Sequence, residues 1–171
     1  IHELAGKPAF NQLKEIFDEL PNREKLLVQR APHLGRVVSE YQDKFEQGDF
    51  LVRNIIGSDP SGAIAVTDYI RVGQTVQFHI RDQESADAEL KQLLAAAKKQ
   101  KPAALGGLLF TCNGRGTRLF GQPHHDAAAI ERALGKIPLA GFFAQGELGP
   151  IGKQNFMHGF TASIALFEPV K

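Results

Sequence analysis

The sequence predicts an α+β protein: a mixed, mainly antiparallel sheet with about three helices packed on its faces. Three observations predict it. Strand-like segments follow one another without a helix between residues 50 and 81, two later apolar strands each follow an amphipathic helical segment, and a final strand closes the chain.

Taken in order, Phe10, Leu13, Ile16, Phe17 and Leu20 recur at helical spacing behind Pro8, which suits the start of a helix, and Pro21 closes the segment. Leu26 to Arg30 reads as a short strand, and residues 33–47 are too mixed for an assignment. Phe50 to Ile56 reads as a strand, Gly57 to Gly62 is dense in turn residues, and Ile64 to Ile70 reads as the returning strand. Val76, Phe78 and Ile80 alternate with polar residues, which predicts a third strand and an antiparallel meander. Ala86, Leu90, Leu93, Leu94 and Ala97 give a second helix, acidic at its start, basic over Lys98–Lys101 and stopped by Pro102. Ala103 to Thr111 is apolar on both faces, as in a central strand. Pro123 to Leu134 is a third helix with Gly135 as its cap, strand 137–143 follows near the sheet centre, and Phe160, Ala162, Ile164 and Leu166 mark the last strand. Two segments result: residues 1–35, an N-terminal helix with its connection, and residues 36–171, one compact domain.

Composition narrows the function. Lys plus Arg is 20 against 19 for Asp plus Glu, a net charge of +1, so neither nucleic acid nor an anionic membrane is an expected partner. A single cysteine forms no internal disulfide, no Asn-x-Ser/Thr sequon occurs, and no apolar run reaches the roughly 18 residues of a membrane span, which together predict a cytoplasmic protein. The start at Ile1 rather than Met is expected of a fragment or a processed product.

Two glycine-rich segments carry the chemistry. Phe110-Thr-Cys-Asn-Gly-Arg-Gly-Thr117 delivers Cys112 and Asn113 from a strand into Arg115, flanked by Gly114 and Gly116. Ala140-Gly-Phe-Phe-Ala-Gln-Gly-Glu-Leu-Gly-Pro150 places Glu147 between Gly146 and Gly149. Arg115 offers a planar fork for a carboxylate, and Glu147 can receive an ammonium, so a free amino acid has matching charges at both ends. The alternative is that Arg115 and Glu147 pair with each other or with other charges and hold two loops together.

These segments, with Arg53-Asn-Ile-Ile-Gly-Ser-Asp59, Val72-Gly-Gln-Thr-Val-Gln-Phe78 and His158-Gly-Phe-Thr161, resemble the C-terminal half of the FIST sensory domain, also found in some F-box proteins, over roughly Arg36 to Phe167. The resemblance implies a cytosolic module that binds small ligands, amino acids among them, and passes the signal to an output domain. It also implies an N-terminal FIST half as partner. The expected ligand site comprises Cys112, Asn113, Gly114, Arg115, Gly116, Gly146, Glu147 and Gly149, with Arg53 and His158. No cofactor and no metal is expected, because His124-His-Asp126 reads as a helix's first turn rather than a ligand set. Catalytic residues are not expected. The rival readings are a protein-interaction scaffold and an enzyme with Cys112 as nucleophile and His124, His125 or His158 as base. Gly141 to Gly146 has P-loop spacing, but Glu147 and Leu148 stand where Lys and Ser or Thr are required.

Overall fold

The computed structural model of the protein describes residues 1–100, 104–151 and 154–170. The chain divides after Arg81 into two units, Ile1–Arg81 and Asp82–Lys171. The boundary expected between residues 35 and 36 falls inside a strand of the first unit.

In the first unit, a two-residue ladder of β1 (Glu3–Leu4) and β2 (Lys7–Pro8) precedes α1 (Ala9–Glu19) and α2 (Asn22–Arg30). Residues 26–30 are thus helical, not a strand. Leu26-Leu-Val28 suits either period. The flanking residues decide: Pro21 sits at the N-cap with φ −59°, Glu24 lies in the first turn and Arg30 in the last. A four-stranded antiparallel sheet follows in the order β5 (Ile64–Val66), β4 (Phe50–Ser58), β3 (His33–Val37), β6 (Val76–His79). The β4–β5 hairpin agrees with the expected meander, whereas β6 pairs with β3 instead of β5. The unassigned residues 33–37 supply this inserted strand. His33, Leu34 and Val37 are all buried, so a polar-looking segment serves as an interior strand.

The second unit begins with α3 (Gln83–Gln100); Lys101, Pro102 and Ala103, expected to end that helix and open the next strand, lie outside the described residues. Its three-stranded sheet places β7 (Gly106–Cys112) between β11 (Ala162–Phe167), antiparallel to it, and β8 (Leu139–Ala144), parallel to it. A parallel neighbour requires a crossover. The chain supplies it with α4 (Thr117–Phe120) and α5 (His125–Leu134). Leu90 and Leu94 of α3 and Ala129 and Ile130 of α5 pack with Leu109, Leu139 and Ile164, one from each strand, so both helices cover the same face. The hairpin β9 (Glu147–Ile151) and β10 (Gln154–His158) is tied to β11 where Ser163 Oγ donates to the Leu148 carbonyl at 2.8 Å.

The α+β class and the mainly antiparallel pairing therefore stand, with five helices among the described residues. Strand β8 lies at a sheet edge, not near the centre, and Phe142 and Phe143 are 64% and 57% exposed there. Close approach explains Gly141 within it. A Cβ at that position would lie 1.8 Å from the Leu109 carbonyl oxygen, so only a residue without a side chain fits against β7.

Candidate functional site

Strand β7 ends in a tight turn in which the Arg115 N–H donates to the Cys112 carbonyl at 2.9 Å and the Asn113 N–H donates to the Ala144 carbonyl at 2.8 Å, tying the turn to the end of β8. The Gly114 N–H lies 3.4 Å from Cys112 Sγ, and the thiol is buried. Gly116 has φ 60°, a left-handed value that a side chain would strain, and a Cβ there would come within 3.2 Å of the Phe143 ring.

Arg115 emerges from this turn into the unit's interior, 6% exposed. Its Nε donates to Asp126 Oδ2 and its Nη2 to Asp126 Oδ1, both at 2.8 Å, a bidentate fork. Nη1 reaches the Phe160 carbonyl at 3.4 Å, and the guanidinium carbon lies 5.1 Å from the centre of the Phe120 ring. Burial pushes the Asp126 carboxyl up, but the hydrogen bonds and charge of Arg115 outweigh it and hold the group below its ordinary range. The network continues. His125 stacks flat on Phe120, centroids 3.5 Å apart and planes 6° from parallel, with Nδ1 at 3.1 Å from Asp126 Oδ1 and Nε2 at 3.0 Å from Asp87 Oδ1. A hydrogen bond from Lys91 chiefly holds the Asp87 carboxyl low.

Glu147, the first residue of β9, is 1% exposed. Its Oε2 accepts a hydrogen bond from Thr161 Oγ1 at 3.1 Å, while Oε1 has no hydrogen-bond partner among the described residues. His158 faces Glu147 in the β9–β10 register, and its Nε2 lies 2.9 Å from the Gly149 carbonyl, as a donor.

Sequence reasoning placed Arg115 and Glu147 at one cavity. Both do reach one dipeptide, since Arg115 bonds the Phe160 carbonyl and Glu147 bonds the Thr161 hydroxyl. They do not pair with each other. Asp126 takes the fork instead, so this residue of a helix's first turn is a buried ion-pair partner. Cys112, Asn113, Gly114, Arg115 and Gly116 thus form one turn, and Gly146, Glu147, Gly149 and His158 belong to the β9–β10 hairpin with its leading turn. Arg53 belongs to the first unit, where it and Arg36 donate to Asp68 Oδ2 at 3.2 and 3.3 Å. Site roles for Asp126, Asp87 and Thr161 were not foreseen, and His125 was considered only as a base for Cys112. For Asp126 a signal existed: it shares a stripe with Ala129, Ile130 and Ala133 at helical spacing, and an acid on an apolar stripe needs a buried partner.

Beside this network an open cleft of about 210 Å³ runs between the start of α5 and β8, with Thr111, Gly116, His124, Asp126, Phe142 and Phe143 among its lining residues. His124, the N-cap of α5, adopts φ 59° and makes no side-chain cap.

A profile of the FIST C domain matches residues 9–150. The chain belongs to the FIST C domain family. That family is a sensory one, which supports reading this chain as a signal-transduction module. The match begins well before Arg36, so much of the first unit is part of the family's pattern. An uncharacterized protein of Mycobacterium tuberculosis strain H37Rv is 50% identical over 169 residues, covering 98% of this chain and 44% of that protein. A second, of Mycobacterium bovis strain AF2122/97, is 49% identical with the same coverage. An F-box/LRR-repeat protein of Arabidopsis thaliana is 25% identical over 147 residues, 79% of this chain and 28% of that protein. The chain spans less than half the length of the mycobacterial relatives it matches. No helix among the described residues is long and apolar enough to cross a membrane.

Proposed function

We propose that this FIST C chain is a noncatalytic small-molecule sensor of intracellular signal transduction whose ligand carries an amine, free amino acids being the leading class. One observation carries the reading: Glu147 Oε1 is buried without a hydrogen-bond partner among the described residues. A buried carboxylate oxygen left unsatisfied costs about 1–3 kcal/mol or more. An ammonium group donating to it recovers that cost. Because Asp126 occupies the Nε–Nη2 fork of Arg115, the ligand's carboxylate does not take that fork unless a buried ion pair opens, so the amine is the end that Glu147 selects.

Glu147 is covered, so a ligand reaches it only through a local opening, for which the β9–β10 hairpin that carries it is the candidate element. Such an opening is the natural output. A ligand that binds only the opened hairpin raises that conformer's population by its differential affinity, and a partner that reads the hairpin senses the change. Calorimetry against the free amino acids and simple alkylamines tests the reading. Heat of binding that Glu147→Gln removes is expected. Absence of binding by every amine to folded protein, including protein that carries the additional length of the mycobacterial relatives, overturns it.

A second reading, a protein-interaction scaffold, is favoured by Leu148 and Met157. They are cross-strand neighbours on the hairpin, 70% and 65% exposed, and present an apolar pair to solvent. Partner capture that survives Glu147→Gln but fails with Leu148→Ser and Met157→Ser would select it. The cysteine-nucleophile reading draws less support, because the buried Cys112 thiol faces the Gly114 N–H and His158 is engaged with Gly149.

A further inference from the structure

We infer that the cleft between α5 and β8 is a second site, separate from Glu147, for a small uncharged ring compound such as a phenol or benzyl alcohol. Size sets the first limit. The cleft holds about 210 Å³, while an apolar protein cavity of roughly 150 Å³ suffices for benzene and drug-sized ligands need about 300 Å³ or more. A single ring with one polar substituent fits between those limits.

Polarity sets the second. Leu109 and Leu139 lie along the cleft, and Phe143, whose ring lies beside Gly116, borders it while remaining more than half exposed. A planar ring laid against Phe143 removes apolar surface from water on both partners and gains offset or edge-to-face contact. Gly116 and Gly141 keep the adjoining backbone free of side chains at this wall.

Charge sets the third, and it works against ions of either sign. Asp126 lines the cleft, so an anion meets a carboxylate on entry. Yet Asp126 gives a cation little in return: Arg115 takes both carboxylate oxygens, His125 adds a contact to one of them, and the positive end of the α5 dipole adjoins the same place. A neutral ligand avoids both penalties. His124, exposed at the rim, supplies a polar handle for a hydroxyl.

Titration followed through backbone amide resonances tests the inference, with phenol, benzyl alcohol, benzoate and benzylamine as probes. Saturable shifts centred on Gly116, His124 and Phe143 are expected for the two neutral compounds, with the two ions about tenfold weaker or worse. Ala127→Leu, a helix-compatible filling of the cleft, abolishes the neutral binding, and Ala127→Met serves as a second filling variant should the first fail to fold. Glu147→Gln leaves it unchanged, which separates this site from the amine site. Failure of both neutral compounds to saturate, equal shifts at Gly116, His124 and Phe143 with benzoate or benzylamine, or undiminished binding in a folded filling variant each overturns the inference.

Discussion

Arg115 and Asp126, 11 residues apart in sequence, meet through two parallel hydrogen bonds of 2.8 Å with 6% and 5% of their side chains exposed. This fork closes the turn after β7 onto the first turn of α5, and so holds one end of the parallel β7–β8 crossover. It also removes Arg115 from the pool of charges available to a ligand.

Removing one member of that pair strands the other in the interior. Arg115→Ala or Asp126→Ala is expected to lower stability by about 3–5 kcal/mol, whereas the paired change Arg115→Met with Asp126→Leu costs much less than the sum, because no uncompensated charge remains. Urea unfolding of the two single variants and the double variant measures the coupling. Additive losses would show that the two groups are held independently.

His33 provides a pH-dependent test in the first unit. Burial, then the charge of Arg81, pushes it from 6.5 down to about 4. The unfolded chain therefore binds this proton more readily than the folded one, so stability falls as pH drops from about 6.5 to about 4 and then levels, by up to about 3 kcal/mol. His79, opposite it in the β3–β6 register, is lowered in the same direction by burial. Asp126 acts in a different window: its depressed carboxyl contributes stability above its unfolded value, lost only as pH falls below about 4. Melting temperatures from pH 7 to 4, compared with His33→Phe, should show a slope that the variant flattens.

Gly141 tests the parallel pairing. Alanine there drives its Cβ into the Leu109 carbonyl, which is backbone and cannot swing aside. The expected loss is about 3 kcal/mol, with β8 separating from β7. Hydrogen exchange of the β7 and β8 amides reads this directly; unchanged protection in Gly141→Ala would mean that the strands pair with a different spacing.

Periodicity made most of the fold legible, and its failures have physical causes. The α1, α3 and α5 stripes and the β4–β5 hairpin follow from apolar spacing and turn residues, and they were read correctly. Strand β3 escaped because His33, Gly35 and Arg36 interrupt any alternation, even though His33 is buried at 1% exposure. Strand β8 looked central because Leu139, Phe142 and Phe143 suggest two covered faces, yet its aromatic residues border an open cleft. At the site, the charged turn and the glycine-bracketed carboxylate were visible, as was their nearness to His158-Gly-Phe-Thr161. Their true partners were not, because a side-chain fork across a turn has no period and Asp126 carries only the weak signal of an acid on an apolar stripe.

Thr161 offers the last test, because it joins the sensor reading to an energetic one. Its hydroxyl is the sole hydrogen-bond donor found on Glu147 among the described residues. Thr161→Val keeps the shape and removes that bond, leaving both carboxylate oxygens buried without donors, so a loss of about 1–3 kcal/mol is expected. Glu147→Leu removes the unsatisfied group together with its charge and should cost less than Thr161→Val, or even stabilise, because the exchange places an apolar side chain in an enclosed position. If Glu147 is retained for ligand binding rather than for folding, Glu147→Leu unfolds at higher urea than Thr161→Val and no longer responds to amines. Were Glu147→Leu the less stable of the two, the carboxylate would be a structural element with a partner of its own, and the amine site would have to lie elsewhere.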